Sequence, residues 1–153
     1  EMIAVAAIKY TILRSSIGGD IAFDSTASIS FEGDSGPYLQ YSAVRANSIL
    51  EKAKDEKITI TNPIELPEKI SRLESLVLRF PDMVMRATYE NGPQIIANYL
   101  IGLAGTFNSF YASQVIVDKK NKLSPYYVIL TKAFLIAMTN GLWLLGIKVP
   151  EKM

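Results

Sequence analysis

Two residue types are missing from this sequence: among 153 residues there is no cysteine and no histidine. Without cysteine there are no disulfides, no thiolate metal sites and no thiol nucleophile. Without histidine, the commonest general base and the commonest metal ligand are gone. A self-contained zinc enzyme, or a serine or cysteine hydrolase of the usual kind, is therefore not expected. A strong charge of either sign is missing too: 16 Lys and Arg face 15 Asp and Glu, a net charge of +1. That balance neither announces nor excludes a nucleic-acid partner, because local patches matter more than the sum. There is no internal repeat and no low-complexity tract.

What is present suffices for a folded core. Hydrophobic residues make up 49% of the chain, and the length fits one domain, or one domain plus a piece of another. The opening Glu1–Ile8 lacks the basic start and long apolar run of a signal peptide. It opens in the middle of a helical pattern, so the expectation is a chain that starts inside a longer protein. Residues 128–147 are apolar enough to raise a membrane question. They contain Lys132, Asn140 and two glycines, so a core helix of a bundle is the expected reading.

The apolar spacing predicts a series of helices. Ile3, Ala6, Ala7, Tyr10 and Leu13 mark the first, over residues 2–15, and Ser15–Asp20 ends it. Ile21–Phe23 reads as short and extended, and Asp24-Ser25-Thr26 as the cap of a brief turn reaching Phe31. Gly33–Pro37 is a turn leading into a helix from Pro37 to about Lys54, which ends in a charge run. Ile58–Pro67 reads as a surface connection. Pro67 is expected to open a helix reaching Phe80, which Pro81 breaks and restarts toward Asn91-Gly92. Pro93 to about Gln114 is the strongest helix, with Gly102, Ala104 and Gly105 expected to admit a close neighbour. Ser124 is expected to cap the last helix, which runs to about Leu145 with Trp143 in the core. The fold class is thus mainly α: a helical bundle of four or five helices, preceded by a short mixed segment.

Tyr38, Tyr41 and Arg45 stand at i, i+3 and i+7 of the helix that follows the Gly-rich turn, so they share one face. Two aromatics and an arginine there make a platform for stacking unpaired bases and holding a phosphate. The same spacing also suits two tyrosines packed into a core with an arginine at the rim. Residues 1–57 carry six Lys and Arg against eight Asp and Glu, and residues 58–153 carry ten against seven. The basic excess, at Arg72, Arg79, Arg86 and the Lys119–Lys122 tip, agrees with contact to a phosphate backbone.

The order of motifs then becomes specific. Ala7-Ile8-Lys9-Tyr10 precedes Asp20-Ile21-Ala22-Phe23-Asp24. The run Phe31-Glu32-Gly33-Asp34-Ser35-Gly36-Pro37-Tyr38-Leu39-Gln40-Tyr41 follows, then Arg45. Later come Asn98-Tyr99-Leu100, Phe107-Asn108-Ser109-Phe110-Tyr111, Asn140–Ile147 and the terminal Pro150-Glu151-Lys152-Met153. Together these closely resemble the C-terminal part of arginyl-tRNA synthetase, a class I synthetase, over almost the whole chain. The resemblance implies that residues 1–35 are the end of the catalytic region, or junction, and that residues 36–153 are the helical anticodon-binding domain. It implies recognition of the anticodon stem-loop of arginine tRNA, with Tyr38, Tyr41, Arg45, Tyr111 and Met153 at that surface. Class I synthetases carry a histidine-containing nucleotide-binding signature and a Lys-Met-Ser-Lys-Ser type loop, and neither occurs in this sequence. No catalytic, cofactor-binding or metal-binding residue is therefore expected in this chain. The resemblance places ATP and magnesium in the catalytic domain of the full-length, cytoplasmic arginine–tRNA ligase. That catalytic domain is an expected partner, whereas a membrane and DNA are not, and the chain alone is expected to be inactive. The alternative is a free-standing helical module that binds RNA or protein.

Overall fold

The computed structural model describes residues 1–58 and 65–153. Ile3 to Leu13 lie within α1, Met2–Leu13, which buries Ala6, Ala7 and Tyr10 on one side. Asp24 caps the short α2, Ser25–Ser28, by accepting from the backbone N–H groups of Thr26 and Ala27, so this turn ends well before Phe31. Ser35 caps α3, Gly36–Asp55, accepting from the Tyr38 N–H at 3.1 Å while Pro37 occupies the first turn. The expected Ile58–Pro67 connection falls mostly on residues 59–64, outside the described residues.

The next helix starts later than Pro67. Residues 67–71 are not helical, and Ser71 caps α4, Arg72–Leu78, by accepting from the Glu74 N–H. A serine oxygen can close the first turn, whereas Pro67 supplies no cap. The chain breaks at Arg79 and restarts as α5, Phe80–Tyr89, with Pro81 in its first turn. α6, Pro93–Ser113, and α7, Ser124–Leu144, complete the bundle. Ser124 does not cap α7. Its hydroxyl donates to the Ile116 carbonyl at 2.6 Å and accepts from the Asp118 N–H, closing the loop before the helix. All regular elements among the described residues are helices, including those of the lead-in.

α3, α6 and α7 form the centre, with α1 against α3 and with α4 and α5 against α6. α7 is long and apolar enough to cross a membrane by length and composition. In the structure it packs its Val128, Phe134, Met138 and Leu142 side against α3, α4 and α6, while Lys132 and Asn140 point out. Phe107 of α6 and Phe134 of α7 stack with ring centroids 3.9 Å apart and planes within 8°. Trp143 is not core: it is 75% exposed. Met138 and Leu142, four positions apart, hold the buried register instead, and Trp143 falls on the side turned to solvent.

Close approaches occur at glycines other than those expected. No atom lies within 4 Å of where a Cβ at Gly102 or Gly105 would be. A Cβ at Gly141 would meet Leu100 at 2.6 Å, and one at Gly36 would run into the Ala6 carbonyl. Gly36 thus lets α1 touch the start of α3. Tyr10 reinforces the joint by donating its buried hydroxyl to Asp34, which also pairs with Arg14 at 2.6 Å. Burial, then Asp34, pushes the Tyr10 hydroxyl well above its ordinary range. At the other end, Gly146 adopts φ +66. It closes α7 with N–H bonds from Gly146 to Trp143 and from Ile147 to Leu142.

Two consequences can be measured. Gly36→Ala is expected to destabilise the chain by about 2–3 kcal/mol, because backbone must move. Gly102→Ala, in open space on a helix, is expected to stabilise by about 0.5–1 kcal/mol. Urea denaturation of the two variants checks the contrast. Burial raises Tyr99 to about 12, and burial followed by the bond to Glu74 raises Tyr126 to about 12. A raised folded value favours the protonated native form, so this stability is complete below pH 10 and is lost between pH 10 and 12. For Tyr99 the loss is roughly 2–3 kcal/mol. Tyr99→Phe is therefore expected to flatten the fall of the urea midpoint across that window.

Candidate functional site

The cap at Ser35 and Pro37 sets where α3 starts, and the helical period then lines Tyr38, Tyr41 and Arg45 along one side. All three are half-buried. α6 adds Tyr111, which is 44% exposed. The Arg45 guanidinium lies between two rings, its Cζ 4.6 Å from the centroid of Tyr41 and 5.0 Å from that of Tyr111. A planar, weakly hydrated cation suits such a place. Its Nη2 donates to Tyr41 Oη at 2.9 Å and its Nη1 to Asn108 Oδ1 at 2.6 Å. Asn108 in turn donates to Tyr38 Oη at 2.9 Å and Ser42 Oγ at 3.0 Å.

Four of the five expected site residues therefore form one cluster, and Asn108 ties α6 to Tyr38 and Arg45 of α3. The tyrosine face is in part packed against the core. The Tyr38 ring leans on the hydrophobic core while its hydroxyl joins the polar network. Met153 lies apart. It is in the exposed tail, and among the described residues no hydrogen bond or ring contact joins it to the cluster. The tail itself is anchored beside α3, because the fully buried Gln40 donates to the Lys148 carbonyl at 2.7 Å.

A groove of about 380 Å³ opens next to Arg45 and Tyr111, with Ser48, Lys52, Gln114 and Ile116 in its walls. Lys52 and Gln114 went unnoticed in the sequence because their approach depends on how the 114–117 segment returns to α3. Asn108 was within reach: it stands three positions before Tyr111, hence on the same side of one helix. Much of the expected basic excess is occupied within the chain. Lys119 pairs with Glu56 at 2.6 Å, Lys122 with Glu65 at 3.3 Å and Arg86 with Glu90 at 2.7 Å. The Lys119 ammonium holds Glu56 below the usual carboxylate range.

A family model described as the DALR anticodon binding domain matches residues 39–153. The chain belongs to the DALR anticodon-binding domain family. The matched residues begin inside α3, just after Tyr38, and take in Tyr41, Arg45, Asn108, Tyr111 and Met153. The arginine–tRNA ligase of Pyrococcus furiosus is 35% identical over 161 residues, covering 100% of this chain and 26% of that protein. That of Levilactobacillus brevis is 39% identical over 156 residues, covering 100% of this chain and 27% of that protein. The arginyl-tRNA synthetase structure from Thermus thermophilus superposes with a TM-score of 0.82 at 31% identity, covering 99% of this chain and 27% of that one. The chain thus spans about a quarter of the length of the relatives it matches.

Within this DALR domain, the position of the tail rests on Gln40. Gln40→Ala leaves the Lys148 carbonyl without its donor and opens space in the core, at a cost of about 1–3 kcal/mol. The expected outcome is faster trypsin cleavage after Lys148 under native conditions, measured against the parent chain.

Proposed function

We propose that this chain is the anticodon-reading part of an arginine–tRNA ligase and binds the anticodon stem-loop of arginine tRNA. The observation that carries this reading is the Arg45 guanidinium held between Tyr41 and Tyr111 at the mouth of an open groove. Unpaired bases need flat partners, and an exposed tyrosine ring supplies one at roughly 1–3 kcal/mol per stack. The Arg45 N–H groups not engaged by Tyr41 and Asn108 can meet a phosphate or a base edge. Tyr38 borders the same surface, and Met153 adds an adaptable apolar contact as its tail passes α3.

On this reading, activation of arginine belongs to the rest of a full-length cytoplasmic enzyme, and this chain alone does not charge tRNA. ATP and magnesium supply the adenylation chemistry there. The outer side of α1 supports a catalytic partner. Met2, Val5, Ile8 and Ile12 are exposed there, opposite the buried Ala6 and Tyr10. A free-standing module would leave that apolar stripe in water, whereas a neighbouring domain would cover it.

Binding to synthetic anticodon stem-loops, followed by fluorescence anisotropy, tests the reading. Tyr111→Ala removes an exposed ring and is expected to weaken binding about 5- to 100-fold without lowering thermal stability. Affinity is expected to fall as salt rises. Equal affinity for stem-loops carrying unrelated anticodons would overturn the proposal.

A further inference from the structure

The polar network behind the tyrosines has a direction, and that direction constrains the ligand. We propose that Asn108 is a positioning residue that makes the outward face of this cluster a set of hydrogen-bond donors. Its preferred ligand is then an acceptor: a phosphate oxygen, or the carbonyl and ring-nitrogen edge of an unpaired base. The inference rests on the stem-loop reading above and specifies its chemistry.

The argument starts at Arg45, which has donors only. Asn108 must therefore turn its Oδ1 toward Nη1, at 2.6 Å, which sends both protons of its Nδ2 the other way. Those protons go to Tyr38 Oη at 2.9 Å and Ser42 Oγ at 3.0 Å. The Ser42 hydroxyl has already committed its own proton, to the Tyr38 main-chain carbonyl at 2.9 Å. Tyr38 Oη thus accepts from inside, and its proton is left for whatever lies outside. Tyr41 is arranged alike, since its Oη accepts from Arg45 Nη2 at 2.9 Å. The functions remaining for a ligand are two phenolic protons and the free guanidinium N–H groups. A base amine brought to this place meets donors with donors and leaves groups unpaired, whereas a carbonyl, ring nitrogen or phosphate oxygen completes the set.

Asn108→Asp reverses the direction at nearly constant shape. The carboxylate still accepts from Arg45, but it also accepts from Tyr38, whose proton turns inward. Tyr38→Phe removes the proton altogether. Each change is expected to weaken binding of the arginine-anticodon stem-loop about five- to tenfold, the size of one lost hydrogen bond. In the Tyr38→Phe background, Asn108→Asp is expected to cost at least threefold less than in the parent, because no hydroxyl is left to reverse. Thermal stability of the free chain, measured on the same variants, separates the two roles: a residue that served only the fold would lower stability in step with binding. Two series of stem-loops identify the acceptor. One carries a methylphosphonate at single loop phosphates, the other exchanges an acceptor base edge for an amine. The Tyr38→Phe penalty is expected to vanish at one substitution of one series, which names the phosphate or the base. If Asn108→Asp does not fold, Tyr38→Phe and these series still decide. A parent chain that selects the arginine anticodon while Tyr38→Phe binds as tightly overturns this proposal and leaves the stem-loop reading standing. A parent that does not select it overturns the reading itself.

Discussion

The stack of Phe107 on Phe134 sets the roll of α6, and most of what the chain presents to its surroundings follows from that roll. A fully buried phenylalanine at position 107 leaves little freedom to rotate the helix about its axis. With Phe107 facing α7, Asn108 is turned about 100° away, onto α3, where it meets Tyr38, Ser42 and Arg45. Tyr111 lies on the same side and closes over Arg45. The polar cluster is therefore held by an apolar contact on an adjoining face of the same helix. α3 obeys a matching constraint. It buries Leu39, Ala43 and Ala46 inward, which leaves Tyr38, Tyr41 and Arg45 at the boundary between core and solvent.

The joint between α1 and α3 has a different origin. Gly36 and Ala6 bring two backbones together, and Tyr10 and Arg14 then hold Asp34, which stands just ahead of the Ser35 cap. The Gly33–Pro37 turn is thus more than a loop before a helix. Its acidic residue is bound from α1, its serine starts α3, and its second glycine sets how near the two helices come. The first residue of the candidate site follows only two positions later.

Local features of this organisation were legible in the sequence because they depend on local rules. The 3–4 spacing marked the long helices, the Asp24-Ser25-Thr26 run and Pro37 marked two helix starts, and i, i+3, i+7 placed Tyr38, Tyr41 and Arg45 together. The features that were missed depend on which helix lies opposite. Nothing within α6 distinguishes Gly102 and Gly105, which face open space, from a glycine at a contact. Gly141 is a contact glycine only because Leu100 stands across from it. Ser124 followed by Pro125 has the form of a helix start, yet its hydroxyl is taken by the Ile116 carbonyl eight residues back. Trp143 carries the largest apolar side chain of its segment, but the register set by Met138 and Leu142 turns it outward. The motif resemblance supplied Tyr111 as a candidate, while the bond from Arg45 to Asn108 spans 63 positions and required the fold.

Charge also takes on a different weight once the pairs are visible. A net charge of +1 gives little long-range attraction for a polyanion. The basic tip does not restore it, since Lys119 and Lys122 face Glu56 and Glu65. Selectivity at Arg45 must then come from short-range terms: ring faces, one planar cation and a fixed set of donors. Those terms act only at contact and depend on geometry held to within a fraction of an ångström. Two packed helices hold such geometry more precisely than loops do. On the proposed reading, the arrangement suits a surface that discriminates at contact more than one that must attract its ligands from a distance.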